Sequence, residues 1–236
     1  MTTLPAVNID AILLQEQLDD LQSVVIVDNE LPPEIFETLQ SSGFLIQAVP
    51  EELGGLGLTL SEVRQQLMGL VNSAPEIVQL VNMHIVWTGA AADGWYVGDT
   101  SLEWLLRDAC DGHFFATGER DFVNDDSVMQ PLCKVERADG GYCFSGQLSV
   151  TSATAGWSRL GINGREESNI DNPVIVHAFV ARDADGLTIG ADGEVRLDAV
   201  FVPDKYIARV IDEGSTNEDL FLQAISIWMS MGFSNV

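Results

Sequence analysis

Hydrophobic positions follow two different periods along the chain, and the change comes near Gly112. Before this point apolar residues recur every three or four positions, as on one face of a helix; after it, short runs alternate between apolar and polar residues, as in strands. The helical period returns from Thr216 onward. The pattern predicts an α+β chain with an all-α helical domain at 1–112, an antiparallel β-barrel or sandwich domain at 113–212, and the start of a C-terminal helix at 213–236.

The first part of the chain should contain five helices, of which the fourth is the most apolar. That helix begins at Pro75, is apolar on nearly all sides, and is therefore expected at the centre of the core. Its histidine, His84, is more simply explained as a hydrogen-bonded core residue than as a ligand. The predicted helices span residues 7–22, 34–40, 59–72, 75–92 and 100–111.

The second part should contain seven short strands joined by turns. Asp139-Gly140-Gly141 is a typical hairpin sequence between two of them, and the polar stretch 163–172 is expected to be a surface loop. The predicted strands span residues 114–117, 132–137, 141–146, 148–152, 158–162, 173–182 and 194–203.

The charge of the chain excludes several classes of partner. It carries 36 acidic and 11 basic residues among 236, which gives a formal net charge of −25 at pH 7. Nucleic acids and anionic membranes are poor partners for such a chain, because both are bound through clustered Lys and Arg. The sequence has no run of 18 apolar residues and no basic segment followed by an apolar one at its N-terminus. We therefore expect no membrane insertion and a cytoplasmic location.

Two possible ligand motifs are weak. Cys110, Cys133 and Cys143 include no Cys-x-x-Cys pair, so buried thiols are expected rather than a metal site. Gly55-Leu56-Gly57 has part of the spacing of a dinucleotide-binding loop, but it lacks a preceding strand and a third glycine at the right distance. A tight turn that leads into a capped helix is the expected structure there.

Four segments, in the same order along the chain, resemble the acyl-CoA dehydrogenase family. The stretch Pro50 to Leu58 is similar to the family's Pro-Glu-Glu-aromatic-Gly-Gly-x-Gly block, and Ala116 to Glu119 falls where the family has its Leu-Thr-Glu-Pro flavin loop. Gly141 to Gly146 matches the strand before the second flavin segment, and Val195 to Pro203 resembles a family strand that ends in Val-Phe-Val-Pro. The resemblance covers roughly residues 30 to 236.

The resemblance implies a flavoprotein that introduces a double bond into an acyl-CoA thioester. Hydride would pass to FAD, and electron-transfer flavoprotein would accept the electrons. One segment would contact the pyrimidine end of the flavin and a second would approach N5 and O4, while one loop residue would stand where a family serine contacts acyl-CoA. The first flavin segment is Ala116, Thr117 and Gly118, the second is Val150, Thr151 and Ser152, and the substrate contact is Asn124.

The sequence departs from the family pattern in several places. The family's Thr-Glu-Pro becomes Gly118-Glu119-Arg120, and the tryptophan of its Trp-Ile-Thr segment is missing at Ser149-Val150-Thr151. The family's catalytic glutamate belongs to a C-terminal helical domain, of which the chain shows only the first helix. The catalytic residue is therefore unknown, and Glu119 is not assigned as the base. We expect a homo-oligomer or a second polypeptide that supplies the remaining domain.

Two alternatives to the dehydrogenase interpretation remain open. One is a non-catalytic or degenerate partner subunit of the same fold, and the other is a flavin-dependent monooxygenase of the same fold. The phosphates of CoA would need cationic partners, and the chain offers few. The candidates are Arg120, Arg137, Arg159 and Arg165, although each is expected to be a solvated surface charge.

Overall fold

The computed structural model describes the chain in seven parts and combines helices with one large sheet, which confirms the α+β class. The described residues are 21, 31–119, 133–150, 156–168, 172–190, 193–213 and 218–230. The first predicted helix therefore lies outside the described residues, apart from Leu21. No helix in the described ranges is long and apolar enough to cross a bilayer.

Five helices occur in the described ranges. Four of them, which we call α1 to α4, lie close to the predicted positions. The fifth, α5, lies within the last predicted segment, 213–236. A capping box explains where α2 starts, since the Glu62 carboxylate accepts a hydrogen bond from the Thr59 N–H at 2.7 Å. The bounds are α1 Pro33–Ser41, α2 Leu60–Ser73, α3 Pro75–Tyr96, α4 Glu103–Cys110 and α5 Leu220–Met229.

Helix α3 is the central element of the helical part, as its apolar sequence predicts. It contacts α2, α4 and α5 as well as the first strand of the sheet. Most of its residues from Ile77 to Ala92 are buried, including His84 and Thr88. The buried side chains of the helices and of the sheet form one continuous core, so the position of α3 determines how the strands meet the helices.

Eight strands form one mixed sheet in the order β6-β7-β3-β1-β4-β5-β8, and β2 pairs with both β3 and β4. Consequently β1 and β2 occupy the same position between β3 and β4, one after the other. The strand bounds are β1 Phe115–Glu119, β2 Cys133–Ala138, β3 Gly141–Val150, β4 Arg159–Glu166, β5 Val174–Ala181, β6 Leu187–Ile189, β7 Glu194–Pro203 and β8 Ile207–Asp212.

The sheet differs from the prediction in its pairing and in some strand limits. Strand β4 runs parallel to β1 and β2, whereas an antiparallel barrel or sandwich was expected. The strands expected at 141–146 and 148–152 are one strand, β3, which has an irregularity between Phe144 and Gly146 that interrupts the alternation. Strand β4 continues to Glu166, into the expected loop. Strands β6 and β8 were not predicted.

Helix α5 packs on α3 through an aromatic ring that lies over a glycine. Trp228 is buried, its indole N–H donates to the Asp93 carboxylate at 2.8 Å, and a Cβ added at Gly89 would lie 2.4 Å from the ring. Phe221, Leu222 and Ala224 of α5 are buried as well, whereas Leu220, Ile227 and Met229 are 72%, 52% and 40% exposed. One side of α5 therefore carries exposed apolar surface.

Replacing Gly89 by alanine should displace α5 and lower the free energy of unfolding by about 1–3 kcal/mol, the usual cost of overpacking a core. The new methyl group would overlap the Trp228 ring, which is held by Asp93. Gly94→Ala, on the same helix, is the control, because its Cβ would meet only Asp99 at 3.8 Å. Urea unfolding followed by tryptophan fluorescence measures both. Equal stability of Gly89→Ala and wild type would contradict this docking.

Candidate functional site

The structure places the first proposed flavin segment beside Val150, the first residue of the second. Ala116, Thr117 and Gly118 lie on β1, between β3 and β4. Gly118 is directly opposite Val150, the last residue of β3, and Thr117 is opposite Gly161 of β4. Three of the predicted site residues, Thr151, Ser152 and Asn124, lie outside the described residues.

One face of β1 is filled by the core. Ala116 is completely buried, and a Cβ added at Gly118 would lie 2.6 Å from Leu148 Cδ1 and 3.4 Å from Ile162 Cγ2. Successive residues of a strand project to opposite faces, so Ala116 and Gly118 share this packed face. Only the backbone of these two residues is left to contact a ligand.

The opposite face of β1 carries Thr117. Its side chain is half-buried, and no hydrogen bond joins its hydroxyl to another described residue. Gly161, beside Thr117, has no side chain and so leaves room for the Trp87 ring of α3. A Cβ added at Gly161 would lie 2.7 Å from that ring. The Trp87 indole N–H also donates to the Ala116 carbonyl at 3.3 Å. The Thr117 hydroxyl is therefore a polar side-chain group that this face of β1 can offer to a ligand.

His84 connects the start of β1 to the helical part. Its Nε2–H donates to the Leu45 carbonyl at 2.9 Å, and its Nδ1 accepts from the Phe115 N–H at 3.2 Å. These two bonds require the neutral ring with its proton on Nε2. Burial lowers the pKa of His84 from 6.5 to about 4. The ring also stacks on Phe114 and Phe115, so His84 is a hydrogen-bonded core residue, as expected.

The arginines considered for CoA phosphates differ in their surroundings. Arg137 and Arg165 are 49% and 39% exposed and pair with surface carboxylates, as expected for solvated charges. Arg159 is different, since its side chain is only 12% exposed and donates to Asp108 at 3.2 Å. The expectation that Arg159 is solvated was wrong, because aromatic side chains distant in sequence cover it. Arg120 lies outside the described residues.

The sequence analysis did not single out two of the residues around this site. Trp87 was assigned only to the apolar surface of α3, although its N–H bonds to β1. Trp104, on α4, contacts Phe115 and Arg159. Neither contact has a signal in the sequence, because each joins residues that are distant along the chain. The described residues contain no group of three or more His, Cys, Asp and Glu side chains arranged to hold a metal ion.

No protein-family model and no curated protein matches the sequence. Solved structures do match the fold. FMN-bound TdsC from Paenibacillus sp. A11-2 has 16% identity and a TM-score of 0.73, covering 92% of this chain and 59% of that one. KijD3 in complex with FMN and a dTDP-linked keto sugar has 21% identity and a TM-score of 0.70, covering 90% and 58%. A nitrososynthase from Micromonospora carbonacea var. africana has 21% identity and a TM-score of 0.64, covering 94% and 65%.

These matches define the fold and its extent. The chain spans 58–65% of the length of these three solved structures. None of the three is described as an acyl-CoA dehydrogenase. Because the identities are at most 21%, they establish the fold alone. The chain therefore shares the fold of these three solved structures.

Proposed function

We propose that this chain is the flavin-binding part of an FMN-dependent monooxygenase of this fold. The observation that carries the proposal is the pairing of Gly118, in the first proposed flavin segment, with Val150, the first residue of the second. Enzymes of the same fold support the choice of reaction. TdsC is described as a dibenzothiophene monooxygenase, and MsuC from Pseudomonas fluorescens as a methanesulfinate monooxygenase.

The residues at the end of β1 fit the polar edge of a flavin. A flavin ring needs hydrogen-bond donors near its pyrimidine oxygens and N5. Backbone groups of Thr117 and Gly118 and the Thr117 hydroxyl can provide some of these, because the Thr117 hydroxyl has no partner among the described residues. The pairing between the ends of β1 and β3 fixes the distance between Gly118 and Val150, one residue from each proposed flavin segment. When bound, reduced flavin would supply the electrons that activate oxygen; the chain itself holds and orients the ring.

The full set of site residues is part of this proposal. Ala116, Thr117 and Gly118 would face the ring from one side, mainly through backbone groups. The second segment would approach it from the other side, and a residue between β1 and β2 in the sequence would meet the substrate. The second set is Val150, Thr151 and Ser152, and the substrate contact is Asn124. The division of the chain near residues 112 and 212 belongs to the same proposal.

An FMN-dependent oxygenase accounts for the charges better than an acyl-CoA dehydrogenase. FAD and CoA bring several phosphates, whereas FMN brings one, and the chain has only 11 basic residues against 36 acids. Among the described basic residues, Arg137, Arg165 and Arg209 already bind carboxylates. Electron-transfer flavoprotein has no support among the matched structures and is not part of this proposal.

Removing the Thr117 hydroxyl should weaken FMN binding about fivefold, the value of one hydrogen bond of about 1 kcal/mol. Thr117→Val keeps the shape of the side chain, and quenching of FMN fluorescence measures the affinity. Thr38→Val is the control, because that hydroxyl bonds only to a carbonyl of its own helix, α1. If the folded wild-type chain does not bind FMN, cofactor binding by this chain alone is rejected.

The reaction class needs a separate assay. Purified protein would be given chemically reduced FMN, oxygen and indole, the ligand found with TdsC. A parallel sample would receive an acyl-CoA and an artificial electron acceptor. Oxygenated indole in the first sample supports the monooxygenase, whereas acceptor reduction in the second supports the dehydrogenase. Thr117→Val should reduce the rate of the supported reaction at subsaturating FMN in proportion to its lower affinity.

A further inference from the structure

A largely buried cation lies at the start of β4, where it meets α4 and the turn between β7 and β8. The Arg159 guanidinium carbon is 3.8 Å from the centre of the Tyr206 ring and 5.4 Å from that of Trp104. The two rings contact each other edge to face at 4.9 Å. Asp108 accepts from Arg159 Nε at 3.2 Å. We call Arg159, Trp104, Tyr206, Asp108 and Lys205 the Arg159 cluster.

Two donors of the Arg159 cluster have no acceptor. Arg159 Nη1 and the Trp104 indole Nε1 are both buried, and neither makes a hydrogen bond in the described part of the chain. By contrast, Arg137 places both of its Nη atoms on the Asp204 carboxylate. A buried donor without an acceptor costs free energy, and native proteins rarely keep two in contacting side chains. Because guanidinium and indole groups can only donate, the missing partner must be an acceptor.

The cluster is also locally positive in a very acidic chain. Lys205 Nζ lies 4.4 Å from the centre of the Tyr206 ring. The pKa of the Tyr206 phenol is lowered, first by its hydrogen bond to Lys205 and then by the charges of Arg159 and Lys205. Asp108 is the carboxylate paired with Arg159. The Arg159 cluster therefore holds two cations and one carboxylate, whereas the whole protein has a net charge of −25. This local excess of positive charge favours an anion.

We propose that Arg159 Nη1 and Trp104 Nε1 form a binding site for a small oxyanion, either a free phosphate or the phosphate or carboxylate group of a larger ligand. Tyr206 covers the guanidinium and belongs to the three-residue turn Asp204–Tyr206 between β7 and β8. Its ring must move aside to admit the oxyanion, and a turn residue can do so without breaking a strand pair. The oxyanion then accepts a charge-assisted bond from Arg159 and a second bond from Trp104.

The proposed oxyanion site is independent of the proposed flavin site. Arg159 is opposite Phe115, at the start of β1, whereas Gly118 and Val150 meet near the other end of that strand. The Trp87 and Phe179 rings pack over Gly161, the residue of β4 that lies two positions beyond Arg159. Failure of FMN to bind would therefore leave the oxyanion proposal standing, and the reverse also holds.

Inorganic phosphate is the probe for this site. Calorimetric titration measures its affinity, and thermal unfolding in phosphate is compared with unfolding in NaCl of equal ionic strength, because any salt screens the repulsion among the acidic residues. Phosphate should raise the melting temperature more than NaCl does. Trp104→Phe keeps an aromatic ring but removes the donor, and should weaken phosphate binding about tenfold. Arg159→Gln should abolish it.

Arg107→Gln is the matched control for charge. Arg107 lies on α4, like Trp104, but its side chain is 56% exposed and pairs with Glu103. This variant should bind phosphate like wild type. A parallel titration with acetate assigns the site to carboxylates if acetate binds more tightly than phosphate, and to phosphates if it does not. The proposal is overturned if neither anion stabilises the protein beyond NaCl, which is also the result expected if a buried water satisfies both donors. Equal phosphate affinity of Trp104→Phe and wild type would also overturn it.

Discussion

Replacing Gly55 by alanine should lower the free energy of unfolding by at least about 3 kcal/mol, among the largest losses expected from one methyl group. A Cβ at this position would lie 2.1 Å from the Val49 carbonyl oxygen and 2.4 Å from Val49 Cβ. Real Cβ atoms do not make non-bonded contacts this short, so the backbone segments that contain Gly55 and Val49 would have to move apart. Val49 is completely buried and its carbonyl accepts from the Gly57 N–H at 2.8 Å, so it has no room to move away.

Gly69→Ala is the matched control for the Gly55 substitution. Gly69 is an exposed residue of α2, and a Cβ there would have no atom within 4 Å. Alanine should therefore raise stability by up to about 1 kcal/mol, the difference in helix propensity. Urea unfolding at pH 7 measures both variants against wild type. A Gly55→Ala protein as stable as wild type would show that the two backbone segments do not cross as described.

The glycine-rich block shows how far sequence reasoning reaches. The expected tight turn is present: the backbone from Leu56 to Leu58 returns and donates to carbonyls between Ile46 and Val49. The sequence also indicated correctly that the block leads into a capped helix, α2. It could not show which glycine permits the close approach, because the partner of Gly55 is fixed by the path of the turn in three dimensions.

The sheet shows where periodicity stops being informative. Alternation reports which residues share a face, but not which strand lies alongside or in which direction it runs. This explains why β1, β5 and β7 were predicted well while the parallel pairing of β4 was not. Strand β4 also carries Asn163 and Arg165, whose polarity favoured a loop after 162. Their side chains are only half-buried, so the strand keeps polar residues within the ladder.

The candidate sites depend on contacts that no local pattern contains. Thr117 and Val150 were chosen from the resemblance to a family, and the structure shows that their strands pair. Arg159 was expected at the surface because arginine usually is. It is instead largely covered, because Trp104 and Tyr206 meet it from positions 55 residues before and 47 residues after it in the chain. Such contacts become visible only once the fold is known.

Replacing His84 by leucine should lower the free energy of unfolding by about 2–6 kcal/mol at pH 7. The substitution leaves the Leu45 carbonyl and the Phe115 N–H unpaired in the interior, and each unpaired group costs about 1–3 kcal/mol. His113→Leu is the control, because His113 is exposed. Urea unfolding at pH 7 measures both. A His84→Leu protein as stable as wild type would show that these two bonds do not join the helical part to the sheet.

The same histidine should make stability depend on pH in a predictable direction. The pKa of His84 falls from 6.5 to about 4 on folding because burial disfavours its charged form, and the pKa of His177 falls to about 4 for the same main reason. Between these values the unfolded chain binds a proton that the folded chain does not, so stability is complete above pH 6.5 and declines as the pH falls towards 4. Each histidine contributes about 1.4 kcal/mol per pH unit in this window.

Carboxylates with lowered pKa values act in the same direction, so the informative quantity is the difference in slope between variants. Unfolding free energies measured from pH 7 to pH 4.5 should fall less steeply for His84→Leu than for wild type. Identical slopes for the two proteins would mean that His84 is already protonated in the folded state, which is incompatible with a ring that accepts the Phe115 N–H through Nδ1.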